Sequence, residues 1–158
     1  MASARQGEVR LHIDAPPEKV WDLLANLERM GEWSPENYRV EWLAGATSPA
    51  KPGARFKGWN RYGPMRWTMT CEVKAAEPAK ELAWSTMQGA REVVRWTYRL
   101  ASANGGTDVT ESFDVIWFPF RAWLAEDVLM RDRDRRREAA MRTTLERIKA
   151  VVEQGQST

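Results

Sequence analysis

Apolar and polar residues alternate from Glu8 to Asp14, with Val9, Leu11 and Ile13 on one face and Arg10, His12 and Asp14 on the other. That period of two predicts a half-buried strand, with His12, the sole histidine, on the solvent side. Pro16 and Pro17 suit a first helical turn, where the missing N–H costs nothing, and Val20, Leu23, Leu24 and Leu27 then recur at helical spacing. The helix is expected to end between Asn26 and Arg29. A second, partial helix around Met30 to Trp33 should stop at Ser34-Pro35, because a residue that precedes proline avoids the helical region.

From Tyr38 the period returns to two. Strands are expected at Tyr38 to Ala44, Ala54 to Tyr62, Met65 to Ala76, Glu81 to Met87, Glu92 to Ala101 and Thr107 to Trp117. The breaks between them carry Pro52-Gly53, Gly63-Pro64, Pro78, Gly89 and Asn104-Gly105-Gly106. Breaks this short join consecutive strands as an antiparallel meander rather than as crossover units. Pro119 closes the last strand, and a helix is expected from about Arg121 to Glu153, bent or split near the charged stretch Arg131 to Arg137. Its apolar stripe is Met141, Leu145, Ile148 and Val152, joined by Thr144 and Val151. Gln154 to Thr158 reads as a polar tail that frays.

The order is therefore one strand, two helices, six strands and one long helix: an α+β protein with a single domain over residues 1–153. One helix is too narrow to cover the concave side of seven strands, so a cavity is expected between them. Nine tryptophans in 158 residues sharpen that picture, since each large ring buries much apolar area and supplies a broad wall.

Charge and rare residues narrow the chemistry. With 24 basic and 22 acidic residues interspersed, the net charge of +2 points to no nucleic-acid partner. The run Arg131 to Arg137 is broken by Asp132 and Asp134 and followed by Glu138, so it reads as an internally paired helix face. Met1 to Gly7 shows no basic stretch leading into an apolar run; a cytoplasmic address and no integral membrane association are expected. Cys71 is the only cysteine, which rules out an intrachain disulfide and a cysteine zinc cluster. One histidine and one distant cysteine make a metal site or a nucleophilic triad improbable on composition alone, and no phosphate-binding glycine loop or dinucleotide fingerprint is written. No cofactor is expected. Either a monomer or a homodimer is compatible with the chain.

Parity assigns the inward-facing side chains: Phe56, Gly58, Asn60 and Tyr62; Trp67, Met69, Cys71 and Val73; Leu82, Trp84 and Thr86; Val94, Trp96, Tyr98 and Leu100; Val109, Glu111, Phe113 and Val115. Asn60, Tyr98 and Glu111 are polar where burial is expected, and buried polar groups need partners. They either orient a ligand, with Glu111 a candidate base and Glu111 or Tyr98 the candidate proton-transfer group, or satisfy each other, nearby backbone or bound water. Trp67, Met69, Trp84, Trp96 and Phe113 are expected to line the ligand site, and Trp59 falls on the opposite, exposed face. Counting back from Met141 by four and seven places Arg137 and Asp134 on the same helix stripe, where Arg137 is expected to pair with Glu111 or to bind an acidic ligand group. Met30 and Trp33 are expected at the entrance.

Several segments, taken in order, carry a resemblance: Ile13-Asp14-Ala15-Pro16-Pro17-Glu18-Lys19-Val20-Trp21, Met30-Gly31-Glu32-Trp33-Ser34-Pro35-Glu36, Pro52 to Arg61, Gly106 to Ser112 and Met141 to Lys149. In that order and spacing the chain resembles the START-like, or SRPBCC, superfamily in its polyketide cyclase/dehydrase and lipid transport branch. The resemblance implies a helix-grip fold, a seven-stranded sheet wrapped around a long C-terminal helix, with a deep pocket for lipids, polyketides or other aromatic compounds. Only some members of the superfamily are catalytic, and no established aromatase or cyclase residue set maps onto this chain. The expected function is binding, as carrier or sequestering protein, of an apolar or aromatic small molecule. The alternatives are a cofactor-independent cyclase, aromatase or dehydratase, and an interaction protein that responds to its ligand.

Overall fold

Alternation gives every strand an apolar face, and the strands pair consecutively so that those faces share one side. The computed structural model describes residues 6–117 and 133–156, and of residues 133, 134 and 156 the backbone alone. Among them, β1 (Gln6–Ile13), β2 (Asn37–Trp42), β3 (Arg55–Tyr62), β4 (Met65–Glu77), β5 (Glu81–Gln88), β6 (Arg91–Ala103) and β7 (Gly106–Val115) form one antiparallel sheet. Its order is β1-β7-β6-β5-β4-β3-β2. Between β1 and β2 lie α1 (Pro17–Leu24) and a 3-10 helix (Leu27–Glu32), and α2 (Arg133–Gln156) follows the sheet. The part of the expected long helix before residue 133, with the start of the Arg131 to Arg137 run, lies outside the described residues.

Turn chemistry explains the hairpin between β6 and β7. Ala103 pairs with Gly106, and the two residues between them have positive φ, 48° at Asn104 and 79° at Gly105. Asparagine and glycine tolerate that conformation, and the resulting turn matches the right-handed twist of the strands it joins. Gly106 is needed for a different reason. A Cβ there would lie 2.4 Å from the carbonyl oxygen of Ile13 on β1, nearer than any real carbon sits.

The first helix stops earlier than its periodicity predicts. α1 ends at Leu24, with Ala25 as its C-cap, because the next residues are recruited by the loop ahead of β3. The Ala25 carbonyl accepts the Ala50 N–H at 2.9 Å, and Asn26 Oδ1 accepts the Ser48 hydroxyl at 3.1 Å. Ser48 Oγ in turn accepts the indole N–H of Trp42. Leu27, expected on the stripe of α1, is buried from the 3-10 helix instead. β2 ends at Trp42 rather than Ala44, since Ala44 and Gly45 turn with positive φ.

α2 carries Met141, Leu145, Ile148 and Val152 inward, with Leu145 and Ile148 fully buried. Each such side chain contributes about 1.5–3 kcal/mol relative to exposure. Val151, expected on the same stripe, is 36% exposed, one position off the packed face. The helix also runs on to Gln156, so residues 154–156 of the expected tail are helical. Its C-terminal half packs mainly on β1, where Lys149 Nζ donates to the His12 carbonyl at 3.1 Å, and on α1. His12, half-buried, lies between Asp108 at 2.8 Å and Asp14 at 3.1 Å.

Gly106→Ala is expected to destabilise the protein by about 1–3 kcal/mol, because backbone rather than a flexible side chain must move. Urea denaturation of the two proteins measures it; equal midpoints would show that β1 and β7 can part without cost.

Candidate functional site

Where α2 leaves β1, its inward face no longer meets packed core. Arg137, Ala140, Met141 and Thr144 front a cavity of about 280 Å³, just below the span of about 300–1,000 Å³ usual for small-molecule sites. Opposite them stand the concave positions of five strands: Phe56, Gly58 and Asn60 on β3; Trp67, Met69 and Cys71 on β4; Trp84 and Thr86 on β5; Val93, Val94, Trp96 and Tyr98 on β6; Glu111 on β7. Met30 and the segment Ser34 to Asn37 complete the wall, and Ser34, Pro35 and Glu36 are half-exposed, so the cavity borders solvent there.

The wall is an ordered row of rings. Trp42 and Phe56 meet edge-on at 5.7 Å, as do Phe56 and Trp84; Trp84 stacks on Trp96 at 5.9 Å, and Trp96 tilts against Phe113 at 5.6 Å. These separations and angles are those that aromatic quadrupoles favour. The guanidinium of Arg137 caps the row, 4.8 Å from the Phe113 centroid.

Polar groups interrupt the apolar lining at two places. On adjacent strands, Tyr98 pairs with Glu111 and its hydroxyl donates to Glu111 Oε1 at 3.0 Å. Burial disfavours the charged carboxylate and pushes the Glu111 carboxyl up to about 8, against a smaller downward pull from the Tyr98 hydrogen bond. Glu111 is therefore mainly a neutral acid at pH 7. Burial, then the charge of Glu111, likewise raises the Tyr98 phenol well above its ordinary value. At the far edge of the sheet Asn37 Nδ2 donates to Asn60 Oδ1 at 3.4 Å, and the Asn37 backbone N–H to Ser34 Oγ at 3.0 Å. Buried atoms of the lining without a hydrogen-bond partner among the described residues include Asn37 Oδ1, Trp84 Nε1 and Glu111 Oε2. Burial also pushes the Cys71 thiol up to about 12, which leaves it an inert small hydrophobe.

Of the residues expected at the site, Asn60, Trp67, Met69, Trp84, Trp96, Tyr98, Glu111, Arg137, Met141 and Met30 all line the cavity. Phe113 sits behind them, between Trp96 and Arg137. Trp33 does not reach the entrance: it is 2% exposed and belongs to the core, because it closes the 3-10 helix through its N–H to the Met30 carbonyl. Arg137 does not pair with Glu111, whose one hydrogen-bonded oxygen is taken by Tyr98. The side chain of Asp134 lies outside the described residues. Trp59 faces the convex side as expected, beneath Arg39 and Lys57.

Asn37, Val93 and Ala140 were not expected at the wall. Val93 is an extra residue where the β5–β6 register shifts beside Thr86 and Met87, which brings two successive valines to the cavity. Ala140, three residues beyond Arg137 and four before Thr144, was readable from helical spacing. Nothing in the pattern marks Asn37.

The family model described as polyketide cyclase / dehydrase and lipid transport matches residues 5–153. The chain belongs to this family. Among solved structures it is similar to the Polyketide_cyc-like protein Cgl2372 of Corynebacterium glutamicum, at 26% identity and a TM-score of 0.59, covering 96% of this chain and 91% of that one. Protein MLL2253 of Mesorhizobium loti aligns at 20% identity with a TM-score of 0.64, over 95% and 98% of the two chains. CV1439 of Chromobacterium violaceum aligns at 14% and 0.68, over 95% and 99%. The last two likenesses concern the fold alone. No curated protein matches the chain significantly in sequence. Helix-grip proteins of this family share the curved sheet and C-terminal helix found here.

The Glu111 carboxyl gives a testable pH dependence. The folded protein holds its proton to about pH 8, whereas the unfolded chain releases it near the ordinary value of 4.5. Across that window the unfolded state binds fewer protons, so this group's contribution to stability falls as pH rises and levels off above pH 8. Glu111→Gln removes the slope. The variant's stability relative to wild type should grow by a few kcal/mol, in order of magnitude, from about pH 4.5 to 8, measured by urea denaturation across pH; a constant difference would mean that Glu111 is ionised in the fold.

Proposed function

We propose that this protein binds an apolar or aromatic small molecule, of the lipid or polyketide class, in the space between α2 and the sheet, as a carrier or sequestering protein. The observation that carries the reading is the row of rings fronting open volume: Phe56, Trp84 and Trp96 touch ring to ring, and all three line the cavity. Apolar ligand surface transferred there contributes about 2.5 kcal/mol per 100 Å². A cavity this size suits a compact ligand of a few fused rings, or one arm of a longer chain. The family's description supports the same class.

A second reading has its own observation. A carboxyl that stays protonated at neutral pH in an apolar cavity is suited to general acid catalysis, as a cofactor-independent cyclase or dehydratase requires. Loss of turnover with retained binding in Glu111→Gln selects that reading. The base role for Glu111 fits less well at neutral pH, because the ionised form is the minor one there.

Titration with fluorene, followed by the protein's tryptophan fluorescence, tests the binding reading. Saturable quenching is expected, and Ala140→Trp, which fills the cavity from α2, should weaken it by about tenfold or more with little change in the urea midpoint. No saturable response in the wild type, together with native mass spectra free of any retained small molecule, would end the proposal.

A further inference from the structure

The unpartnered atoms of the lining say more about the ligand than its apolarity. We propose that Glu111, held by Tyr98, is the specificity-determining residue of the cavity, presenting an O–H at Oε2 to a carbonyl-type oxygen and so selecting neutral ketones or quinones over hydrocarbons of the same shape. The inference rests on the binding reading above and goes beyond it in naming the recognised group.

The hydrogen-bond inventory locates the proton. Tyr98 has one hydrogen to give and gives it to Glu111 Oε1 at 3.0 Å. Either direction of that bond leaves one buried hydrogen of the pair without an acceptor; with Tyr98 as the donor, as here, that hydrogen is the acid's. Oε1 is thus the acceptor of the neutral acid, and the acid's own hydrogen sits on Oε2, a buried atom without a partner among the described residues, on a side chain that lines the cavity. Trp84 Nε1, an orphaned N–H on another residue of the lining, adds a second donor. A ligand that brings oxygen acceptors satisfies both; a hydrocarbon leaves both unsatisfied.

The surroundings keep Glu111 in its donor form. The titratable and charged residues that line the same cavity are Tyr98 from β6, Arg137 from α2, Cys71 from β4 and Glu36 from the segment before β2, while β1 pairs Val9 with Glu111. The guanidinium of Arg137 lies over the Phe113 ring and hydrogen-bonds neither Glu111 oxygen; Cys71 is a thiol, and Glu36 is half-exposed. Burial dominates, so the carboxyl ionises only at about pH 8. Above that the carboxylate opposes a ligand carbonyl, oxygen against oxygen.

Fluorene and fluorenone share one rigid outline, carry no charge and differ by a carbonyl. Near pH 6.5 the wild type should prefer fluorenone by roughly tenfold, and near pH 9.5 that preference should vanish. Glu111→Gln keeps an N–H at the same position and should hold the preference at both pH values. Glu111→Leu should bind fluorene and show no preference at either. A wild-type preference insensitive to pH, or one retained in Glu111→Leu, overturns the inference. Binding of fluorene with no preference in the wild type removes this inference alone, whereas failure of both probes to bind removes the cavity reading with it.

Discussion

The architecture turns on a mismatch of widths: seven strands at about 4.8 Å spacing span roughly 29 Å along the arc of the sheet, while a helix with its side chains is about 10 Å across. α2 resolves the mismatch by committing its C-terminal half to one end. Leu145, Ile148 and Val152 pack there with Val9 and Ile13 of β1, and Lys149 fixes the height by its bond to the His12 carbonyl. The N-terminal half is then carried out over β3 to β6, where the strands present rings and, among the described residues, no second helix covers them. The cavity is a geometric remainder, and its position follows from which end of the sheet the helix chose.

That origin explains why the lining has two characters. Toward β1 the concave side chains are aliphatic and closely packed; toward β3 to β6 they are indoles and methionine, bulky groups that keep the strands' faces dry without filling the volume. The most deeply buried polar pair there suppresses its charge. Tyr98 and Glu111 share a hydrogen bond across β6 and β7, and burial keeps the acid neutral. A carboxylate at that place would need a cation against it, and Arg137, the nearest candidate by sequence spacing, is held on Phe113 instead.

Much of this was legible in the chain because a period of two is unforgiving: a strand shifted by one residue would turn Trp67, Trp84 and Trp96 to solvent. Parity therefore placed the walls, and helical spacing placed Arg137 and Met141 over them. What it did not resolve are contacts that depend on local departures from period. The extra residue at Val93, the tightening of Leu27 to Glu32 into a 3-10 helix that buries Trp33, and the early stop of α1 at Leu24 all arise where loops capture backbone groups. The Arg137–Glu111 pairing failed for a related reason. Spacing gives the face of a helix but not its height above the sheet, and a few ångströms decide whether a guanidinium meets a carboxyl or a ring.

The stack of Trp84 on Trp96, 5.9 Å apart and 28° from parallel, has a spectroscopic corollary. Two indoles at that separation share their excited states, so the pair absorbs as a coupled dimer and gives a circular dichroism that neither ring has alone. Both rings border the cavity. Any molecule that wedges against them alters the coupling, and the protein thereby carries a built-in optical gauge of whether its hollow is occupied.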